Sequence, residues 1–287
     1  MFPVDLLTAL QRWIQLVLIV KPVLNEPALL LKGKHDQILC IADIHVGYEF
    51  ALQQAGIRIP LQTRKLAEKI LDLVRKTKAK SLIILGDVKH GVLSSSRREL
   101  LECKFLLEEL SSSVTVKIVK GNHDVNLERV IPGNVVLHDS KGVLISDNVA
   151  LLHGHAWPRA ELLKADQIII GHNHPVIEFK TSTGIRWTKP VWMEVQVERG
   201  KLALYAMKKA GRGDLASFNG SVSVMVMPAF NPLLGGLPVN LNTELLGPLL
   251  SSRIINHDDL SLTLLDGTYL GKISHLKGKK EASALKG

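Results

Sequence analysis

Five short clusters of acidic, amide and imidazole side chains punctuate this chain, and each follows an apolar run. They are Asp43-Ile44-His45, Gly86-Asp87, Gly121-Asn122-His123-Asp124, His153-Gly154-His155 and Gly171-His172-Asn173-His174. Taken singly, each has an ordinary explanation: a turn aspartate, a surface histidine, a Gly-Asp loop after a strand. Five in one order, all at the same kind of position, point to a shared site. Asp-x-His sets a carboxylate and an imidazole on alternate residues, so both can turn toward one ion at a strand end. Carboxylate and carboxamide oxygens with neutral imidazoles suit divalent transition metals, Mn first and Fe, Zn, Ni or Co as alternatives, rather than calcium or a thiolate-bound metal. Ions of this kind activate water near neutral pH and hold phosphoryl oxygens for in-line attack.

The elements that must position these clusters follow from periodicity. Short apolar runs at 28–31 and 38–42, split by Gly33-Lys34-His35-Asp36, predict two adjacent strands, the second ending at Asp43. Leu66, Ile70, Leu73 and Val74 fall on one face of a predicted helix over 61–75, and a second helix is expected over 97–110. Residues 81–85, 115–119, 143–152 and 167–170 read as buried strands, each ending at a cluster. Alternating strands and helices imply an α/β fold with parallel pairing, whose ligands bind beyond the carboxyl ends of the strands. Beyond residue 190, residues 191–197 and 201–205 predict an antiparallel pair turning at Arg199-Gly200. Apolar positions Leu6, Leu7, Leu10, Ile14, Val17 and Leu18 predict an amphipathic helix in an N-terminal extension over 1–24. The main domain is then expected over 25–271, with a basic, frayed tail over 272–287.

Composition bounds the partners. A chain of 287 residues that is 46% hydrophobic can bury an enzyme core, which argues against a bare peptide-binding module. Cys40 and Cys103 stand far apart with no CxxC pairing, so neither a disulfide framework nor a thiolate site is expected. Asp5, Arg12 and Gln15 interrupt the first apolar stretch, and the run 16–20 is too short to span a bilayer, so a cytoplasmic protein without a membrane partner is expected. A formal charge of +9 favours a polyanionic partner, although solvated surface lysines explain such a charge equally well. Arg58, Arg64 and Lys65 follow the first cluster, Lys89 and His90 the second, and Arg97 and Arg98 open the next helix. Lys89, His90, His155, Arg97 and Arg98 are therefore the candidate substrate contacts.

The ordered set resembles the signature of the calcineurin-like metallophosphoesterase superfamily, whose motifs read D-x-H, G-D, G-N-H-D or G-N-H-E, H and G-H-x-H. The resemblance covers roughly residues 38–175. It implies a two-sheet β core flanked by helices, an α/β/β/α sandwich. It also implies that Asp43, His45 and His174 hold one metal, that Asn122, His153 and His172 hold a second, and that Asp87 bridges them. His123 would remain free of metal as the catalytic acid, a role suited to a side chain that exchanges protons near neutral pH. Asp124 is the expected catalytic partner, orienting that imidazole, or else a helix N-cap. Phosphoprotein phosphatases continue G-D with a second acid and an arginine, whereas this chain reads Gly86-Asp87-Val88-Lys89-His90. That string, with residues 42–49 and Pro228-Ala229-Phe230-Asn231, is similar to the small prokaryotic branch related to the SbcD repair nucleases and the ligase-associated endonuclease PdeM.

Three functions are compatible with these residues. The first is a two-metal phosphodiesterase or nuclease acting on nucleic acid in DNA repair, with a repair protein or a second copy of the chain as further partners. The second is a phosphodiesterase of small nucleotides. The third is a non-catalytic scaffold that binds a partner, against which the complete ligand set argues.

Overall fold

The computed structural model describes residues 17–34, 36–92, 96–210, 218–241, 244–251 and 253–277. The predicted N-terminal helix falls on residues outside these, apart from its last positions. There Ile19 opens an edge strand, β1 (Ile19–Pro22), antiparallel to β2 (Ala28–Lys32). β3 (Gln37–Ile41) pairs antiparallel with β2 and begins the parallel part of the first sheet. Then come α1 (Tyr48–Gln54), α2 (Thr63–Thr77), β4 (Ser81–Leu85), α3 (Arg97–Ser111), β5 (Thr115–Val119) and β6 (Val136–His138). The first sheet has the order β1-β2-β3-β4-β5-β6.

The second sheet starts with the hairpin β7 (Val143–Ser146) and β8 (Val149–Leu152), followed by β9 (Gln167–Ile170), β10 (Pro175–Lys180) and the long β11 (Arg186–Glu198). Helix α4 (Arg199–Ala210) leads to β12 (Ser221–Val226), β13 (Leu237–Pro238), β14 (Ser261–Leu264), β15 (Tyr269–Lys272) and the short α5 (Ile273–Lys277). Its order is β13-β10-β11-β12-β9-β8-β7, with β14 paired to β11 and β15 to β14.

The unbroken apolar runs of the sequence are explained by burial on both faces, the usual condition of parallel strands between two layers. In β4, Leu82 and Ile84 face α2 and α3, where they meet Leu66, Ile70, Leu106 and Leu110. Ile83 and Leu85 point the other way, into a layer shared with Leu151, Ile169, Trp192 and Met225 of the second sheet. The outer face of the second sheet, with Ile168, Val224 and Met193, is covered by Leu202, Ala203 and Ala206 of α4. The result is the expected α/β/β/α sandwich.

Two elements differ from expectation: residues 143–152 fold back as the hairpin β7–β8 instead of one strand, and residues 201–205 form the middle of α4, not a strand. The run Leu202-Ala203-Leu204-Tyr205-Ala206 is short enough to fit either period. Packing decides it, because Leu202, Ala203 and Ala206 bury a helical stripe while Leu204 between them is exposed. Lys272 ends β15 and residues 273–277 are helical, so the predicted frayed tail falls, from 278 on, outside the described residues. Cys40 and Cys103 are free and buried, as expected of two small core side chains.

Candidate metal centre

The five clusters meet at one end of the sandwich, beyond the carboxyl ends of β3, β4, β5, β8 and β9. Their convergence is not produced by strand alternation. Asp43, His45, Asp87, His172 and His174 have φ of 58°, 45°, 50°, 71° and 43°, five of the eight non-glycine residues with positive φ among the described residues. Left-handed backbone costs a non-glycine residue roughly 1–2 kcal/mol, so its concentration here marks a site that surrounding structure holds in place. Backbone bonds supply part of the hold: Asp43 N–H donates to Gly86 O at 3.3 Å and His45 N–H to Asp87 O at 2.8 Å. Asn231 adds more, its Nδ2 donating to Ile44 O at 2.9 Å.

The glycines of the motifs have a steric cause. A Cβ on Gly86 would lie 2.5 Å from His153 Nδ1, and one on Gly121 would lie 2.2 Å from Asp87 Oδ1. Both positions let the main chain pass against a site side chain.

Two carboxylate-bearing donor groups result, each with ligand atoms within 4.8 Å of one another: Asp43, His45 and His174 in one, Asp87, His153 and His172 in the other; His45, His90 and His123 form a third, all-imidazole group at the same spacing. His174 Nε2 lies 3.3 Å from Asp43 Oδ1, and His45 Nε2 lies 3.4 Å from Asp87 Oδ2. His153 Nε2 is 3.3 Å from the same Asp87 oxygen and 3.1 Å from Asn122 Oδ1. The structure thus brings together all seven expected ligands, with Asp87 between the two groups.

Whether these residues fit a cation is tested by their unpaired atoms. His45 Nε2 and His174 Nε2 are buried and make no hydrogen bond among the described residues, although each lies beside a carboxylate. Ligands about 2.0–2.2 Å from one ion stand roughly 3.0–3.5 Å apart, the spacing seen here. His153 is oriented in the same sense, because its Nδ1 donates to Leu85 O at 2.8 Å and leaves Nε2 facing the carboxylate. The donor set fits first-row divalent ions.

The charges agree. Burial opposes ionisation of Asp87, but its hydrogen bond to His153 and the surrounding imidazoles hold its carboxyl well below the usual range, and Asp43 is lowered in the same way by His174 and His153. Burial pushes His45 down to about 3 and His172 to about 4. Burial also opposes the charge on His153, yet the Asp87 hydrogen bond and charge lift it to about 9. A proton on His153 occupies the place that a divalent cation would take, since a ligating imidazole must be neutral.

His123 sits at the rim of this centre. Its Nδ1 is bonded to the His90 carbonyl, its N–H donates to Asp87 Oδ1 at 2.9 Å, and its Nε2 is 3.8 Å from Asp87 Oδ2. Asp124 takes neither role expected of it. It is fully buried; Oδ1 accepts from Val88 N–H at 2.8 Å and Oδ2 from Gly121 N–H at 2.9 Å, so it ties two site loops together and leaves the His123 ring alone. Nor is it a cap: Asn126 precedes the short helical turn Leu127–Arg129.

The candidate substrate contacts separate. Lys89 is a correction: it is 0% exposed and its Nζ donates to Gly91 O, so it supports the loop from inside and cannot meet a substrate. His90 is half-buried at the site, with Nδ1 3.2 Å from His45 Nδ1. His155 stands at the other side, its ring centred 5.2 Å from that of His153 and 6.0 Å from that of His172, and burial pushes it down to about 4. The open cleft at the centre, about 350 Å³, is lined by His45, Asp87, Asn122, His123, His172 and His174, with Asn173, Gly236, Leu237 and Leu246. Arg97 and Arg98 are exposed but do not line it, and the Arg98 guanidinium lies over the Phe50 ring at 5.2 Å. Arg58, Arg64 and Lys65 are likewise exposed and off the cleft, with Arg64 over Phe105.

Three supporting residues have no signal, or a misleading one, in the sequence. Asn173 exchanges two hydrogen bonds with the Leu246 backbone, at 2.8 and 3.1 Å, and so pins that loop over the cleft. Asn231 ends the Pro228-Ala229-Phe230-Asn231 string quoted above, but nothing in that string shows that its amide reaches the Ile44 carbonyl. Glu99 could have been found as the fourth residue of a Ser96-x-x-Glu99 capping box; Ser96 does cap α3, but Glu99 Oε1 instead accepts from His90 N–H at 3.0 Å and Gly91 N–H at 2.5 Å.

Comparison with known proteins matches a family model, the calcineurin-like phosphoesterase superfamily domain, to residues 37–193. No curated protein sequence matches the chain. Among solved structures, the chain is similar to the nuclease MPE of Pseudomonas putida, at 19% identity and a TM-score of 0.48, covering 88% of this chain and 100% of that one. It is also similar to YfcE, a phosphoesterase from E. coli, at 18% identity and a TM-score of 0.34, covering 82% and 97%. With the family match spanning more than half of its residues, the chain belongs to the calcineurin-like phosphoesterase superfamily.

Proposed function

We propose that this protein is a divalent-metal-dependent phosphodiesterase that hydrolyses nucleic acid at a paired-ion centre, with Mn as the first candidate ion. One observation carries the paired reading: a single oxygen, Asp87 Oδ2, lies 3.4 Å from His45 Nε2 and 3.3 Å from His153 Nε2, which belong to different donor groups. Asp43, His45 and His174 would hold one ion, Asn122, His153 and His172 the other, and Asp87 both. Such ions supply charge neutralisation for phosphoryl oxygens and activated water. The chain's own residues do the rest. His123 keeps Nδ1 on the His90 carbonyl, so Nε2 is the atom that can hold a proton on the cleft side and deliver it to a departing alkoxide. Leu237 and Leu246 give the cleft an apolar wall.

The formal charge of +9 supports a polyanionic substrate over a small diester. The short strings similar to the SbcD and PdeM branch support a place in DNA repair. Among the described residues, no helix is long and apolar enough to cross a membrane. The test is a Mn-loaded assay on an aryl phosphodiester, an aryl phosphomonoester, and labelled DNA and RNA, with metal counted by elemental analysis. Two ions per chain and cleavage of a nucleic acid are expected. At most one ion would end the paired-ion reading, and turnover of small diesters with no nucleic acid bound even at low salt would end the nuclease reading.

A further inference from the structure

The strand directions place a two-stranded arm beyond the metal centre. β9 and β12 run parallel and end together, Ile170 level with Val226, at the edge where the donor clusters lie. β11 runs the opposite way, and its Met193 is level with Val226. Every residue of β11 before Met193 therefore lies past that edge. Trp187 is six residues farther out, about 20 Å at the rise of an extended strand. β10 begins at Pro175, the residue after His174, and runs outward beside it as far as Lys180.

What the arm carries is unusual for a surface hairpin. Residues 186–190 are all exposed, and Trp187 retains 43% of its surface. Trp187 and Phe179 are register partners with nearly parallel rings, 5.5 Å between centroids and 19° between planes. Lys189, paired with Ile177, falls on the same face by alternation. Lys180 is exposed on the other face beside Arg186, which is bonded to Glu178 at 3.3 Å.

We infer that this arm holds an unpaired nucleic-acid strand as it passes the metal centre, with a base stacked on Trp187 and phosphates met by Lys180 and Lys189. The inference rests on the nucleic-acid reading above and names the surface that serves it. An aromatic platform flanked by cations is the arrangement that binds single strands without reading their sequence. It also answers a difficulty of the cleft, since Lys89 is buried and the arginines at 58, 64, 97 and 98 do not line it. A cross-strand aromatic pair also steadies a hairpin, but that role leaves the outer face of Trp187 without purpose.

The test uses the full chain. A labelled 12-nucleotide single strand is titrated into EDTA-treated protein and followed by anisotropy and tryptophan quenching, and KM for the same strand is measured with Mn-loaded enzyme. Trp187→Leu should raise both Kd and KM roughly ten-fold, within the range of one base–aromatic stack. The Lys180→Ala, Lys189→Ala double variant, which leaves the ring pair intact, should flatten the log–log salt dependence by about 1.4, at about 0.7 per contact. Hydrolysis of an aryl diester should stay within about two-fold of wild type in both, since neither touches the reacting atoms. If wild type binds and cleaves the strand while both variants match it, the arm is overturned and the nuclease reading stands. If wild type neither binds nor cleaves any strand, both fall. If Trp187→Leu changes the oligomeric state by sedimentation and leaves strand binding intact, the surface belongs to a second copy of the chain and the inference is wrong.

Discussion

Gly121→Ala should disable the metal centre without removing a ligand. The main chain at Gly121 lies so close to Asp87 that an added Cβ would fall 2.2 Å from Oδ1 and 2.3 Å from the Asp87 nitrogen. Contacts of a real Cβ stay above 3.0 Å, so the carboxylate must retreat by about 0.8 Å or more. That displacement carries Oδ2 away from His45 Nε2 and His153 Nε2, now 3.4 and 3.3 Å distant, and strains both donor groups at once. Its φ is not in the left-handed region, so the backbone accepts alanine and the effect is purely the crowding. Misplacement on this scale typically lowers a rate by about 10²-fold, and overpacking costs about 1–3 kcal/mol in stability. The assay is aryl diester hydrolysis after Mn loading, read with metal content and a thermal melt. Gly133→Ala is the control, because a Cβ there meets nothing within 4 Å. Wild-type metal content and kcat/KM in a folded Gly121→Ala protein would refute the claim that Asp87 is shared at this spacing.

Three further substitutions and two pH profiles test the same centre. Asp87→Asn should lower metal content and activity together, since the side chain stands between both donor groups, and elemental analysis beside the rate checks this. His123→Ala should keep both ions and slow cleavage of alkyl diesters by about 10²-fold or more, with a smaller loss on activated aryl esters that need no protonation. An equal loss on both would remove the acid assignment. Metal affinity, measured by calorimetry, should rise with pH from 6.5 and level off near 9 as His153 sheds its proton. In metal-free protein the sign is opposite: a folded-state pKa raised to about 9 gives stability that is fully present below 6.5 and lost as pH rises through 9, so urea midpoints should fall over that window. Finally, Lys89→Ala should lower the melting temperature and leave KM for a small diester nearly unchanged, because its ammonium supports Gly91 from inside the protein.

The layered α/β plan, most strands, two of the long helices and the clusters that converge at the candidate centre were legible in the residues alone. Strand β4 and strand β5 fall where apolar runs end in Gly86-Asp87 and Gly121-Asn122, because strands buried on both faces must be apolar throughout and can turn polar only where they leave the layer. The clusters were readable for the same reason, since chemistry at strand ends leaves a polar residue after each apolar run, whereas the choice of seven of their side chains as candidate ligands came from the family resemblance.

What tertiary structure alone decided concerns direction and contact. Residues 201–205 carry an apolar run that suits strand or helix, and only packing of Leu202, Ala203 and Ala206 on the second sheet selects the helix. Lys89 reads as a cation beside a metal ligand, yet the chain turns it inward, and Asp124 reads as a partner of its neighbour His123 but bonds the main chain of residues 88 and 121. The sequence names which groups are near the site along the chain. It does not say which way each side chain leaves the backbone, because that depends on left-handed turns at Asp43, His45, Asp87, His172 and His174, which are unfavourable locally and are held only by contacts from distant strands. The arm is decided the same way: nothing in Phe179 or Trp187 reveals their stacking until the pairing of β10 with β11, and the register of β11 on β12, carry both past the metal edge.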